Sequence, residues 1–340
     1  MDDTREPLSA KDLSAPAASC ADRQTLTDAS EAATAQDWVP IEYRQLSPGR
    51  FSGLMQSLEL SNIALFHERH DQDVHKTGAL PPGQCTVSLI DRGHSAARFS
   101  QFPIDGPDVL FFQTERHEFD IVIPRGRATI YAHLEQEELV RGLETLDKPL
   151  AERLAGSRGL QSLGPFGKAG LEQTMHALLG IAQDPGLGQG GADPRLLRRK
   201  LMDQILLAIV ACRHPLAGNA SELHARRRSF QIVRAAREFM EAQLDEGITP
   251  GMVDLCANTG VSERTLRYAF HDQLGRPPSA YLRLLRLNRI RADLLTATPS
   301  TSVSSVAIRW GFLHLGRFAQ DYRRLFQETP SATLSHARRP

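Results

Sequence analysis

Two clusters of side chains near the C-terminal end have the types and spacing to engage a polyanion. Arg264, Arg267, Tyr268 and His271 recur three and four residues apart, the spacing of one helix face. His314, Leu315, Arg317, Gln320, Arg323 and Arg324 form a second such set further along. A guanidinium is a planar fork of donors that fits the N7 and O6 of guanine, or two oxygens of a phosphate. A good base contact discriminates by about 1–3 kcal/mol. A phosphate contact gives grip and register but little sequence information. Leu315 can touch a thymine methyl but makes no hydrogen bond there. Gly316 offers no side chain and weakens a helix by up to about 1 kcal/mol. The second cluster should therefore supply less base specificity and more backbone grip, through Arg317, Arg323 and Arg324.

Other candidate chemistries are weaker. His67, His70 and His75 lie close in sequence, but their spacing is not that of a zinc site. Gly186, Gly188, Gly190 and Gly191 follow no strand pattern, so they read as a loop and not a nucleotide cradle. The chain has no GxSxG, HExxH or Walker sequence. No catalytic residue, metal or cofactor is expected.

Charge agrees with the first reading. The formal net charge is zero. From Arg226 onward, however, there are eighteen arginines, no lysine and ten acidic residues, a local balance of +8 (18 − 10). One end of the chain is built to face a polyanion and the other is not.

The elements that must hold these clusters form a repeat. MVDLCANTGVSERTLRYAFHDQLGRPPSAYL and VSSVAIRWGFLHLGRFAQDYRRLFQETPSATL share one plan. Each has a short helix with a small fifth residue, Cys256 or Ala307, then a turn glycine, Gly260 or Gly311. An apolar plug follows, Val261 or Phe312. A second helix is anchored by Leu266, Phe270 and Leu274, matched by Phe318, Tyr322 and Phe326. Both close on Pro-Ser-Ala, and the second turn carries one extra residue. The glycine accepts the positive φ of the turn. The i, i+4 anchors leave the opposite face of the second helix outward. This is the plan of a helix-turn-helix, whose second helix enters the major groove. Between the units, Ser279 to about Leu295 reads as a helix about 25 Å long at 1.5 Å per residue. Such a strut suits two recognition helices about one DNA turn, ~34 Å, apart.

GVSERTLRYAF, PSAYLRLLRLNRIRADLL and IRWGFLHLGRFAQDYRRLF resemble the DNA-binding domain of the AraC/XylS family, over about Phe230 to Leu334. The resemblance implies base contacts from the positions of Arg264, Arg267 and Tyr268, and two recognition helices in successive major grooves. It also implies activation through RNA polymerase and an N-terminal effector domain. Gln327 departs from the pattern where the first repeat has Gly275, and Ile290 stands where the family often has alanine. The run RQLSPGRFSGLMQSLEL is similar to sensor halves of a subgroup that includes regulators of ethanolamine use.

The rest of the chain is read from periodicity. Residues 1–36 have almost no large apolar side chains and are expected to be a disordered tail without a secretory signal. FSGLMQSLEL, NIALFHER, CTVSLID, DVLFFQ, FDIVIP and ATIYAHL predict an antiparallel sandwich or barrel, similar to the cupin-like sensors of that family. From about Gln136 to His214 the period turns helical. Asp193-Pro194 opens a helix with the stripe Leu197, Leu201, Ile205, Ile209 and Cys212. That stripe packs either on its own sheet or in a dimer seam. The expected domains are thus 37–215, a β-rich sensor with a helical dimerisation segment, a linker at 216–226, and an all-α DNA-binding domain at 227–334. No apolar run is long enough for a membrane span. Cys20, Cys85, Cys212 and Cys256 form no CxxC, which suits reduced thiols in a cytoplasm. The expected function is an effector-responsive, homodimeric activator bound to double-stranded DNA. The alternatives are a cupin-like metal enzyme with an appended DNA-binding domain, and a protein-interaction sensor.

Overall fold

The computed structural model describes residues 19–91, 97–104, 109–116, 118–155, 160–165, 168–182, 193–212 and 220–338. The N-terminal part runs β1 (Ser19–Leu26), α1 (Ala29–Thr34), β2 (Ile41–Gln45), β3 (Gly53–Leu60), β4 (Ile63–His70), β5 (Val74–Ala79), β6 (Gln84–Ile90), β7 (Ala97–Phe99), β8 (Phe102–Ile104), β9 (Val109–Gln113), β10 (Glu118–Ile123) and β11 (Ala128–Glu135). There follow α2 (Gln136–Leu146), α3 (Lys148–Ala155), β12 (Leu160–Pro165), α4 (Lys168–Ala182) and α5 (Pro194–Ala211). The C-terminal part is helical: α6 (Ala220–Asp245), α7 (Met252–Thr259), α8 (Glu263–Leu274), α9 (Pro278–Leu295), α10 (Val303–Arg309), α11 (Leu315–Phe326) and α12 (Pro330–Ala337).

The strands make two antiparallel sheets, β1-β3-β4-β11-β6-β9-β12 and β2-β5-β10-β7-β8. The central strands of the larger sheet are buried on both faces. Leu58, Leu65, Val87, Leu110 and Ala132 face α2–α5, while their neighbours Met55, Phe66, Phe111 and Tyr131 face the smaller sheet. Burial on both sides removes the need for polar alternation, which is why DVLFFQ reads as one apolar run.

Three expectations change. Residues 19–26, placed in a disordered tail, pair along the whole of β3 as an edge strand, and 29–34 form α1. Their small and polar side chains concealed this, because an edge strand is held by its backbone ladder. Leu160–Pro165, in the stretch expected to be helical, pairs with β9. Residues 220–226, expected to be linker, lie in α6. The Asp193 cap is as expected, its side chain accepting from the Arg195 N–H, with Pro194 in the first turn. The α5 stripe settles on its own sheet: Leu201, Ile205 and Ile209 are buried there, with Leu197 and Cys212 packed alongside. That stripe is therefore not free to be a dimer seam. The glycine loop at 186–191 lies outside the described residues.

Candidate nucleic-acid interface

The first helix-turn-helix is α7 and α8. Gly260 ends α7 in the left-handed region at φ 65°, its N–H donating to the Cys256 carbonyl. Ser262 caps α8 by accepting from the Thr265 N–H. Leu266, Phe270 and Leu274 are buried against α6 and α9. That leaves Arg264, Arg267, Tyr268 and His271 exposed, Tyr268 at 69%. In the free chain Arg267 donates from Nε to Glu263 at 2.7 Å. It must leave or share that carboxylate to reach a base.

The second unit is α10 and α11. Gly311 sits at φ 75°, and a Cβ there would lie 2.7 Å from Thr249 Oγ1, so the turn needs glycine twice over. Phe312 plugs the core under the Arg286 guanidinium, 4.0 Å from its ring centre. Phe318, Tyr322 and Phe326 are buried. His314, Leu315, Gly316, Arg317, Gln320, Arg323 and Arg324 are exposed. Gln327 does adopt the left-handed conformation, at φ 56°, so α11 ends as α8 does at Gly275 but with a strained residue.

Helix α9 serves both units. Tyr281, Leu282 and Leu285 belong to the first core, and Leu287, Ile290 and Leu294 to the second. Ile290 is fully buried there. Both recognition helices border clefts against the β domain. His271 lines a cleft with Arg98, Gln101 and Arg125 of the β domain, and Arg324 lines another with Ser47 and Asp73.

Sequence reasoning missed what lies behind the helices. The smaller sheet turns Tyr43, Val74, Phe119, Ile121 and Phe99 inward. Their strand neighbours Arg44, His75, Asp120, Val122 and Arg98 face the helical domain. Arg44 pairs with Glu241 at 2.9 Å, His75 shares a hydrogen bond with the Tyr281 hydroxyl at 2.8 Å, and Val122 packs on the first core. Asp120 binds His75 at 2.8 Å, Arg237 at 3.1 Å, and Arg98. Burial opposes its charge, but Arg98, His75 and Arg237 hold the carboxyl well below its usual range. Burial pushes His75 down to about 4 despite Asp120. Alternate polar residues in a strand normally signal a solvent face. Here that face is covered by another domain. The three histidines weighed as a metal group diverge: His67 binds Gln56, His70 lies beside Glu68, and His75 meets Tyr281. Among the described residues no three His, Cys, Asp or Glu side chains are grouped to hold a metal ion.

Comparison with known proteins places this arrangement first in a class. Residues 255–336 match the model of a helix-turn-helix domain. The "Probable thc operon regulatory protein" of Rhodococcus erythropolis is 42% identical over 104 residues, 30% of this chain and 31% of that protein. The "XylDLEGF operon transcriptional activator 2" of Pseudomonas putida is 38% identical over 99 residues, 29% of this chain and 62% of that one. A solved "probable AraC family transcriptional regulator" from Rhodopseudomonas palustris is 38% identical, covering 32% of this chain and 99% of its own, with a TM-score of 0.30. The chain spans about a third of the first of these relatives and less than two thirds of the second. The C-terminal domain is an AraC/XylS-type helix-turn-helix domain, similar to those of transcriptional regulators. Among the described residues no helix is long and apolar enough to cross a membrane.

Proposed function

We propose that this chain is a sequence-specific DNA-binding transcription regulator, an effector-responsive activator working as a cytoplasmic homodimer. The observation that carries this reading is the pair of matched helix-turn-helix units on one shared helix, each presenting an exposed basic face. Arg264, Arg267 and Tyr268 read bases in one major groove. Leu315 and Arg317 sit in the next, with Gln320 beside them and Arg323 on phosphates. The DNA-binding domain begins with α6. The cupin-like β domain before it is the sensor, and RNA polymerase is the partner on the promoter.

The sensor reading rests on a cavity between the two sheets, about 50 Å3, lined by Trp38, Tyr43, Glu68, Lys76, Phe119 and Tyr131. Glu68 is buried, accepts from the Tyr43 hydroxyl at 2.6 Å and pairs with Lys76. Burial brings the Lys76 ammonium down to about 7. A carboxylate, an amine and phenol hydroxyls inside an aromatic wall suit a small polar effector. Binding shifts the regulator only if the effector favours one state over the other.

A DNase footprint of the full chain on the DNA flanking its own gene tests the proposal, with and without small metabolites that include ethanolamine. Protection spanning two helical turns is expected, altered by one metabolite. No protection at moderate salt under any condition would overturn it.

A further inference from the structure

Both recognition helices end against the β domain. The last carbonyls of an α-helix have no donor within the helix. At the end of α8, the Gln273 carbonyl accepts from Arg98 Nε of β7 at 3.2 Å. At the end of α11, the Leu325 carbonyl accepts two donors, the Gly49 N–H at 2.9 Å and the Gln45 side-chain amide at 3.0 Å. Gln45 is also tied to α9 in both directions. Its N–H donates to Asn288 Oδ1 at 2.9 Å, and its carbonyl accepts from Asn288 Nδ2 at 3.1 Å. Between these contacts Leu46 is buried in the first helix-turn-helix core, and its carbonyl accepts from Arg276 just beyond α8 at 2.9 Å. Residues 45–49 thus touch the end of α8, the middle of α9 and the end of α11.

The segment is stiff. The Leu46 N–H donates to the Asp73 carbonyl at 2.8 Å. Ser47 Oγ donates to Gln72 and accepts from the Asp73 N–H, both at 2.8 Å. Gly49 has φ 154°, and a Cβ there would collide with the Gln72 side chain. A helix joining two units bends far more easily than a triangle of fixed points.

We propose that Gln45–Gly49 is a specificity determinant for DNA binding. It acts as a splint from the β domain that fixes the second recognition helix relative to the first, and hence the spacing of the two half-sites. The proposal rests on the DNA-binding reading above. Each base pair inserted between half-sites moves one by about 3.4 Å and turns it by about 35°. A splinted pair accepts one spacing, whereas a pair hinged on α9 alone accepts its neighbours.

The test uses the full chain, on a site selected from random DNA by the wild type. That site is re-made with one or two base pairs inserted between the half-sites, and as each half-site alone. Wild type should lose about tenfold or more in affinity on one insertion, and Gln45→Ala/Asn288→Ala less than about threefold. Both should bind an isolated half-site within about twofold of each other. A double variant that keeps wild-type spacing discrimination overturns the proposal. Hydrogen exchange supplies the control: the variant should expose the Gln45 and Gly49 amides while β3 and β4 stay protected. If β3 and β4 open as well, Gly49→Ala is held to the same criterion. If the Gln45 and Gly49 amides of the wild type exchange like an unstructured peptide, the splint is absent in solution and the proposal falls, whether or not the chain binds DNA. If those amides are protected but no sequence is selected, the DNA-binding reading fails, and the splint's role in specificity fails with it.

Discussion

The two helix-turn-helix units share a scaffold and differ in what surrounds it. The first carries arginines and a tyrosine on its outward face, ends at Gly275, and has Leu46 of the β domain buried in its core. The second presents Leu315 and the side-chain-free Gly316, ends at a strained Gln327, and among the described residues has no N-terminal one in its core. The β domain reaches the second unit through backbone and polar contacts at the end of α11 and through Asp28 on Arg291. On the proposed reading the repeated fold divides labour: one copy is braced to discriminate, while the other is held in place to grip.

The largest expected effect tests whether the two cores are separate. Phe270→Ala and Phe318→Ala each remove a fully buried ring and should cost about 3–5 kcal/mol. In hydrogen exchange, Phe270→Ala should deprotect α6–α8 together with the Leu46 segment. Phe318→Ala should deprotect α10–α12 alone. Equal loss at α8 from both would make the units one cooperative block.

Acid comes next. Burial pushes His70 and His75 down to about 4. His70 faces Glu68 and Asp71, and His75 faces Asp120, Arg98, Arg237 and Tyr281. Between about pH 6.5 and 4 the unfolded chain binds protons that the folded chain refuses, so stability falls as pH falls. Each histidine contributes up to about 3 kcal/mol of this loss. Burial pushes His67 and His133 down to about 4 as well, so urea titrations from pH 7 to 4.5 should show the slope, and His75→Gln should remove one histidine's share of it. Because His75 meets Tyr281, the first unit should loosen first.

A smaller effect separates reading from gripping. Arg267→Ala should lose about 1–3 kcal/mol of preference for cognate over scrambled DNA. Arg323→Ala should weaken both alike and flatten the salt dependence by about one counterion. Equal losses on both DNAs from both variants would remove Arg267 as a base reader.

The smallest effect is at the helix ends. Gly275→Ala meets open space but an unfavourable φ, and should cost about 1 kcal/mol. Gln327→Gly should gain a similar amount in thermal unfolding. A loss would mean that the Gln327 side-chain bond to the Arg324 carbonyl, at 3.2 Å, outweighs the strain.

The repeat was legible because its physics is local. Gly260 and Gly311 mark positive φ, and Leu266, Phe270, Phe318 and Tyr322 follow the helical period whatever else the chain does. Six strands were legible for the same reason. β1 was hidden because an edge strand of small polar residues shows no periodicity, and β12 because it lies among helices. The interface between the domains belonged to the tertiary structure alone. Arg44, His75, Arg98 and Asp120 look like the solvent side of a sheet, and Gln45–Gly49 looks like a turn. Their partners Glu241, Tyr281, Arg237, Asn288 and Leu325 lie far along the chain, and no period or motif encodes a contact between two folded surfaces. Sequence set which faces are polar; docking decided which of those faces meet each other and which are left for DNA.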